Sequence, residues 1–328
     1  MRCLFLRGQV PTDRDPRQIM YDKLENNCDM WTQLFYSITS KVDGYGEIWY
    51  WGGNREKKYT DNFVERWMGS FKHDRKFDPD VIFARGGFPE YDIVLNRYPN
   101  AFKIYYGAGK RFFPRSKFKD YDLILNDTPQ QVRVTKSKFP NSMVELWTKP
   151  AAENVFHPTF RLSPPDREYT YDVMVVGNWN KKDLKGLEFA FNKIPSNLNI
   201  VHVGISNKFL RNKFKHVDFK GWIPRREIPQ YYAKSKMAVV TCKTVDSCPR
   251  VIPEALACGC PILVLERVNF WKEMYIGSYT GRTCSNDAFP SEINRMLKGD
   301  EIYKPYPYYK EHLSMDKTVD RIWSIING

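Results

Sequence analysis

Two carboxylates separated by seven residues bracket the start of a predicted helix in the second half of the chain. Asp246 lies in a loop, and Glu254 lies in the first turns of a helix that we expect to begin near Arg250. Pro253 fits that first turn because a missing N–H costs nothing there, and Gly259 is expected at the C-terminal cap. The N–H groups of a helix N-terminus bind diphosphate, and carboxylates accept hydrogen bonds from sugar hydroxyls. The pattern therefore indicates a nucleotide sugar, which combines a diphosphate with hydroxyl-rich rings.

The same segment resembles the donor-binding signature of GT-B glycosyltransferases, specifically the large retaining family 4. That signature is Glu-x7-Glu followed by Ala-(Leu/Met)-Ala-x-Gly-x-Pro, and here Asp246-x7-Glu254 is followed in register by Ala255–Pro261. Upstream, Val175-Val176-Gly177 and Lys185-Gly186 resemble the first strand and the phosphate-binding loop of the family's donor domain. Phe219–Ile223 is similar to the loop that lines the nucleotide base.

The resemblance implies a role for each matching position. Asp246 would hold the transferred sugar and Lys185 the diphosphate, and these two are the expected catalytic residues. Glu254 would bind the ribose hydroxyls of the donor. Trp222 either stacks on the nucleobase or belongs to the core. Further donor contacts are expected from Gly177, Asn178 and Lys181, from Trp222 in the first case, and from backbone N–H groups near Pro249, Arg250 and Val251.

The family also implies metal-independent transfer with retention of the anomeric configuration. Cations and helix N–H groups would stabilise the departing diphosphate, and the acceptor hydroxyl would attack from the face that the diphosphate leaves. Two positions depart from the family pattern: Asp246 stands where Glu is usual, and Asn178 stands where Arg is usual. Lys181 and Lys182 are the candidates to supply the missing charge. No catalytic base is identifiable.

A different glycosyltransferase fold uses Asp-x-Asp to hold a metal ion, and this string occurs three times in the chain. The three copies are Asp13-x-Asp15, Asp78-x-Asp80 and Asp120-x-Asp122. The last two precede apolar runs instead of ending them, and the first lies in a polar loop. We interpret all three as capping or loop residues and expect no metal.

A basic run interleaved with aromatic residues indicates the acceptor. Between Lys103 and Lys119 there are six basic residues and no acidic one. Such a run suits phosphate contacts combined with base stacking. We hypothesise that the acceptor is double-stranded DNA carrying a hydroxymethylated pyrimidine, modified as phage-encoded DNA glycosyltransferases do, with UDP-glucose as the default donor. Expected acceptor contacts are Gly8, Tyr106, Lys110, Arg111, Phe112, Arg115 and Lys117.

Other interpretations of the basic run stay open. It is equally typical of a solvated basic face. A family 4 enzyme acting on a lipid-linked or surface polysaccharide would use the same charge to contact anionic headgroups. A non-catalytic DNA-binding protein on a GT-B scaffold is a second alternative, suggested by Asp246 and Asn178.

Short apolar runs, typical of strands buried on both faces, must position these residues. The fold class is therefore α/β: a GT-B fold of two Rossmann-like doubly wound domains facing a cleft. We predict an acceptor-binding domain over 1–163 and a donor domain over 164–328, with a final helix around Asp316–Ile326 that is able to pack back on the first domain. The predicted strands are Cys3–Leu6, Ile48–Trp51, Val81–Ala84, Ile104–Tyr106, Leu123–Leu125, Met143–Trp147, Val173–Val176, Ile200–Val203, Val217–Phe219, Met237–Thr241 and Ile262–Leu265.

Composition bounds the remaining classes. The chain has 328 residues, of which 51 are Lys or Arg and 38 are Asp or Glu, so its net charge of +13 favours a polyanionic partner. No apolar run approaches the roughly 18 to 20 residues that span a bilayer, and no secretory signal pattern is present. Seven scattered cysteines without metal-ligand spacing indicate reduced thiols. We therefore expect a cytoplasmic protein without integral membrane association.

Overall fold

The computed structural model describes residues 1–8, 24, 29–51, 55–68, 77–107, 118–158, 169–180, 182–243 and 248–327. The chain forms two compact units: Met1–Trp147 together with Val319–Gly328, and Thr148–Thr318. The predicted boundary between residues 163 and 164 lies further along the chain, within residues 159–168 that fall outside the described ranges, and it stays a prediction.

The first unit is built on a sheet whose strands are almost all parallel. The strands are β1 (Arg2–Arg7), β2 (Tyr45–Trp51), β3 (Arg55–Thr60), β4 (Phe63–Met68), β5 (Val81–Arg85), β6 (Phe102–Gly107), β7 (Leu123–Asn126) and β8 (Met143–Leu146). Their order in the sheet is β3-β4-β2-β1-β5-β6-β7-β8, and only the β3–β4 pair is antiparallel among the described strands. Helices α1 (Met30–Ser40), α2 (Tyr91–Arg97) and α3 (Pro129–Lys138) belong to the same unit.

Both faces of this first sheet are buried, which explains why its strands have apolar residues without alternation. On one face Leu4, Ile82 and Ile124 share a core cluster with residues of α2. On the other face the Phe5 ring stacks on Phe35 of α1, with 4.2 Å between ring centroids.

The second unit carries a sheet that is parallel throughout. The strands are β9 (Tyr171–Val176), β10 (Ile200–Val203), β11 (Val217–Gly221), β12 (Ser235–Val240), β13 (Ile262–Leu265) and β14 (Gly281–Cys284). Their order in the sheet is β11-β10-β9-β12-β13-β14. The helices are α4 (Leu187–Lys193), α5 (Lys208–Lys213), α6 (Ile228–Ala233), α7 (Val251–Ala257), α8 (Lys272–Tyr275), α9 (Phe289–Leu297) and α10 (Pro305–His312).

Both sheets have the strand order of a dinucleotide-binding fold, so the predicted pair of Rossmann-like domains is confirmed. When the strands of the second sheet are numbered by their place in the chain, their spatial order is 3-2-1-4-5-6. The parallel strands of the first sheet follow the same order and continue with a seventh strand. The order reverses between β9 and β12 in the second sheet and between β1 and β5 in the first. Ligands of such sheets bind at the carboxyl ends of the strands beside this reversal, so these two crevices are where functional residues are expected.

Helix α11 (Met315–Asn327) ends the described chain and corresponds to the predicted final helix. Its residues from Val319 onward belong to the first unit. Trp323 donates its Nε1–H to the Ile38 carbonyl at 3.2 Å, and Asp320 pairs with Lys41 at 2.8 Å. These contacts tie the helix to α1.

Three strands were not predicted, and their residues explain why. In β4, Glu65 and Arg66 are charged yet buried, and Arg66 Nε lies 2.9 Å from Glu47 Oε2 in β2. Edge strand β3 has the sequence REKKYT, and the short edge strand β14 reads GRTC. None of these strands has the apolar run by which a buried strand is recognised, because edge positions and paired charges do not require one.

Candidate functional site

The loop after β9 lies beside the strand reversal of the second sheet and contains Gly177. A Cβ added there would lie 3.0 Å from Lys185 Cγ, so the Lys185 side chain packs directly against the Gly177 backbone. Glycine at this position lets the two predicted donor residues approach each other more closely than any other residue would.

The Lys185 backbone is fixed to the end of β12 by a hydroxyl group. Thr241 Oγ1 lies 3.0 Å from both the Lys185 and the Gly186 carbonyl oxygens, where it donates its proton. Gly186 has φ +67°, and a Cβ on it would overlap the Thr241 carbonyl. Lys243 adds two further bonds, from its N–H to the Leu184 carbonyl and from Nζ to the Lys182 carbonyl, both at 2.9 Å. The loop after β9 is thus held over the crevice between β9 and β12.

The side chain of Asn178 contacts protein rather than standing free for a ligand. Its Oδ1 accepts a hydrogen bond from the Ile205 N–H at 2.8 Å, and the Trp179 N–H donates to the Ile205 carbonyl at 2.8 Å. The residue that replaces the family's usual cation therefore joins the loop after β9 to the loop after β10.

Helix α7 begins at Val251, as the sequence predicts, with Arg250 at the N-terminal cap and Pro253 within the first turn. Its C-terminus is a Schellman motif: the Gly259 N–H donates to the Leu256 carbonyl at 2.9 Å, and the Cys260 N–H to the Ala255 carbonyl at 2.8 Å. Gly259 has φ +73°, which this motif requires.

The predicted donor residues around α7 are described in part. Cys248 and Pro249, which precede the helix, are buried, whereas Asp246 and Lys181 lie outside the described residues. The Cys248 N–H donates to the Asn269 carbonyl at 2.9 Å, which anchors the loop before α7 to the loop after β13.

Glu254, the predicted ribose ligand, is buried and forms an ion pair. Arg225 Nη2 contacts Glu254 Oε1, and the Arg225 guanidinium lies over the Phe156 ring at 5.3 Å from its centroid. Arg225, three residues after Trp222, was not predicted from sequence to be a site residue. Trp222 itself is 46% exposed, so it is a surface residue and not part of the core.

In the first unit, Gly8 lies at the corresponding strand reversal, directly after β1. A Cβ on Gly8 would overlap the Phe88 ring, and a Cβ on Gly86 would lie 3.1 Å from Phe88 Cε2. The half-buried Phe88 ring therefore packs on both glycines at this end of the sheet, a contact that was not predicted from sequence.

The other predicted acceptor residues fall in two groups. Tyr106 is buried: its hydroxyl donates to Asp127 at 2.9 Å, and its ring packs on Trp31 and Trp147 at 4.8 and 5.0 Å between centroids. The structure thus places Tyr106 in the core and not on a stacking surface. Lys110, Arg111, Phe112, Arg115 and Lys117 lie outside the described residues.

The Asp-x-Asp strings that the structure describes have capping roles. Asp80 Oδ2 accepts from the Arg2 N–H at 2.6 Å, and Asp122 Oδ2 accepts from the Lys103 N–H at 2.7 Å. Both lie at the amino ends of strands, opposite the edge where ligands bind. Asp13-x-Asp15 falls outside the described ranges. Within those ranges no group of three or more His, Cys, Asp or Glu side chains is placed to hold a metal ion, and no helix is long and apolar enough to cross a membrane.

Comparison with known proteins finds a matching family model for part of the chain and solved structures with a similar fold. Residues 170–298 match the family model described as glycosyl transferases group 1. No curated protein matches the chain. Sucrose-phosphate synthase from Thermosynechococcus elongatus is similar in structure, with a TM-score of 0.71 and 13% identity over 99% of this chain and 98% of that chain.

Two further solved structures hold uridine nucleotides. Anabaena HepE in complex with UDP has a TM-score of 0.66 and 11% identity, over 100% of both chains. A trehalose-6-phosphate structure from E. coli bound with UDP-2-fluoro glucose has a TM-score of 0.67 and 9% identity, over 99% of this chain and 98% of that chain. The chain thus has the GT-B fold, and its residues 170–298 are similar to the group 1 glycosyl transferases.

Proposed function

We propose that the chain is a retaining glycosyltransferase that moves the sugar of a nucleotide donor, with UDP-glucose as the first candidate, onto a hydroxyl group. The observation that carries this proposal is the placement of the Lys185 loop, fixed by Thr241, over the crevice between β9 and β12. A cation beside a glycine turn at that crevice suits a diphosphate, and the family match over residues 170–298 supports the same ligand class.

In this proposal each donor group meets a residue of suitable chemistry. Lys185 contacts the diphosphate, and its charge stabilises the negative charge that develops as the sugar leaves. Arg225 holds Glu254 Oε1, and Oε2 accepts a ribose hydroxyl. The exposed Trp222 ring stacks on the nucleobase. Asp246 holds the transferred sugar, a role supported only by its place in the motif.

Retention requires the acceptor hydroxyl to attack from the side that the diphosphate leaves. The bond from the anomeric carbon to the diphosphate oxygen breaks while the bond to the acceptor oxygen forms, and the acceptor proton passes to the departing phosphate. Lys185 and backbone N–H groups stabilise that phosphate throughout, so this step uses no metal ion.

For the acceptor we propose a hydroxymethylated pyrimidine in double-stranded DNA. The support is the net charge of +13 and the basic, aromatic run from Lys103 to Lys119. The competing acceptor is a lipid-linked or surface polysaccharide, which the same charge would serve at an anionic surface.

The test is sugar transfer by the full chain from radiolabelled UDP-glucose. The acceptors are duplexes with hydroxymethyluracil or hydroxymethylcytosine, an unmodified duplex, and a lipid-linked saccharide on anionic vesicles. Label on hydroxymethylated duplexes alone is expected. Label on the lipid-linked acceptor alone would replace the DNA proposal. The absence of both sugar transfer and release of UDP, GDP or ADP from the corresponding glucose donors would contradict the enzyme proposal.

The donor site itself is tested by Glu254→Gln, with Glu273→Gln, an exposed residue of α8, as the matched control. Loss of one charged hydrogen bond to ribose should raise the donor KM by roughly ten- to a hundredfold, since such bonds contribute about 1.5–3 kcal/mol. The control variant should leave the KM unchanged. An equal donor KM for Glu254→Gln and Glu273→Gln would show that Glu254 does not bind the donor.

A further inference from the structure

Strand β10 carries a histidine where its neighbours are apolar. His202 is 0% exposed, and its ring lies 5.5 Å from the Phe191 ring and 5.4 Å from the Phe219 ring, centroid to centroid. Its Nε2 lies 2.9 Å from the carbonyl oxygen of Gly177, and its buried Nδ1 has no hydrogen-bond partner among the described residues. Burial of a ring with one unsatisfied nitrogen costs free energy. The single hydrogen bond of this ring, to Gly177, therefore indicates where the histidine has a role.

The protonation state of His202 follows from this geometry. A carbonyl oxygen only accepts hydrogen bonds, so Nε2 must carry the proton that it donates to Gly177. Burial among phenylalanines lowers the pKa of His202 to about 4, so Nδ1 carries none at neutral pH. The ring is therefore a neutral donor aimed at one backbone carbonyl.

That bond sets the orientation of the next peptide group. The Gly177 N–H donates to the Val203 carbonyl at 3.0 Å and the Gly177 carbonyl accepts from His202, so both groups point toward β10. A trans peptide places the following N–H opposite the carbonyl, and none of the described peptide bonds is cis. The Asn178 N–H therefore points away from β10, toward β12 and the crevice that the Lys185 loop covers.

The peptide group between Gly177 and Asn178 needs a contact that holds its orientation. Glycine tolerates a wide range of backbone angles, so the peptide after it is free to rotate unless a neighbour holds its carbonyl. Gly204 lets the loops approach: a Cβ on Gly204 would overlap the Gly177 carbonyl oxygen. The Asn178 side chain is already bonded to Ile205, and the described residues offer no acceptor to the Asn178 N–H.

We propose that His202 is a positioning residue: through the Gly177 carbonyl it directs the Asn178 N–H into the crevice between β9 and β12, where this N–H donates to the diphosphate of the nucleotide. The inference rests on the proposed donor site and adds to it a residue that has no contact with the ligand. It also gives Asn178 a role through its backbone where the family's usual Arg acts through its side chain.

The experiment measures the affinity of the full chain for UDP and for uridine, which lacks phosphate, in wild type, His202→Phe and His202→Gln. His216→Gln, on an exposed histidine ahead of β11, is the matched control. His202→Phe should weaken UDP binding about tenfold, the effect of one hydrogen bond, and leave uridine binding unchanged. His202→Gln, whose amide is able to donate, should restore part of the loss.

Two results with the His202→Phe variant would overturn the inference. One is an unchanged affinity of His202→Phe for UDP, and the other is an equal weakening of UDP and uridine, which would mean general damage to the domain. If His202→Phe does not fold, the wild-type Asn178 amide resonance decides: it should shift with UDP and not with uridine, and an unmoved resonance refutes the role. Wild-type protein that binds none of UDP, GDP and ADP would instead refute the donor site itself.

Discussion

Acidification should destabilise the second unit through the buried ring of His202. Burial is the main cause of its lowered pKa, the nearby positive charge of Arg211 lowers it further, and the bond to Gly177 opposes both. The folded state binds the proton with a pKa of about 4, against 6.5 for an unperturbed histidine. Between these values the unfolded chain holds more protons, so the free energy of unfolding rises with pH. The contribution of neutral His202 to the free energy of unfolding is fully present above about pH 6.5 and is lost as the pH falls toward 4.

The size of this effect follows from the two pKa values. A difference from 6.5 to about 4 corresponds to about 3 kcal/mol, and no discount for solvent is needed because the side chain is 0% exposed. Other groups titrate over the same range, so the measurement must compare variants. Wild type and His202→Phe would be unfolded with urea at pH 7.5, 6.5, 5.5 and 4.5, followed by circular dichroism.

At neutral pH His202→Phe should be the less stable protein, because it leaves the Gly177 carbonyl without its donor. As the pH falls, the difference should shrink or reverse by up to about 3 kcal/mol, since the phenylalanine ring takes up no proton. His202→Gln should show the same flattened pH profile with a smaller loss at neutral pH. Parallel pH profiles for wild type and both variants would refute the assignment of the acid sensitivity to this ring.

Two substitutions test other contacts of the two units. Arg225→Met leaves Glu254 buried without its cation and should lower the free energy of unfolding by about 3 kcal/mol, with partial recovery when Glu254→Gln is added. Thermal unfolding measures both, and equal stability of the single and double variants would speak against the pair. Gly8→Ala forces the Phe88 ring aside and should cost about 1–3 kcal/mol. Adding Phe88→Ala removes that overlap, so the double variant should lose less stability than the two single variants lose together. A loss equal to the sum of the two single losses would refute the contact.

The sheets were predictable from sequence because burial on both faces leaves a local signal. Ile200–Val203 and Ile262–Leu265 match the predicted strands residue for residue, since short apolar runs between crossover helices have few other places in a fold. Helix α7 was predictable for a different reason: Pro253 and Gly259 are residues with narrow backbone preferences, and they mark its first turn and its C-terminal cap.

The contacts within the site were not predictable, because they join residues far apart in the chain. Arg225 and Glu254 are 29 positions apart, and their pairing depends on how helix α7 packs beside the segment that follows β11. From sequence, Asn178 was expected to contact the donor from a position where the resembling family usually has Arg, whereas its side-chain oxygen accepts a hydrogen bond from the Ile205 N–H. His202 gave no signal at all, since a lone histidine acquires a role only from the strand register that sets it beside Gly177.

The charged edge strand β3 has a consequence for the behaviour of the protein in solution. It pairs in antiparallel register with β4, whose residues Phe63, Val64 and Trp67 would otherwise form an open edge. On β3, Lys58 is exposed and pairs with Asp61 at 2.6 Å, and the Lys57 ammonium lies over the Tyr59 ring. Lysines on an outermost strand discourage the addition of a strand from another molecule. This hairpin therefore protects the β3 edge of the first sheet against self-association through backbone hydrogen bonds, to which strand β4 would be open if it were outermost.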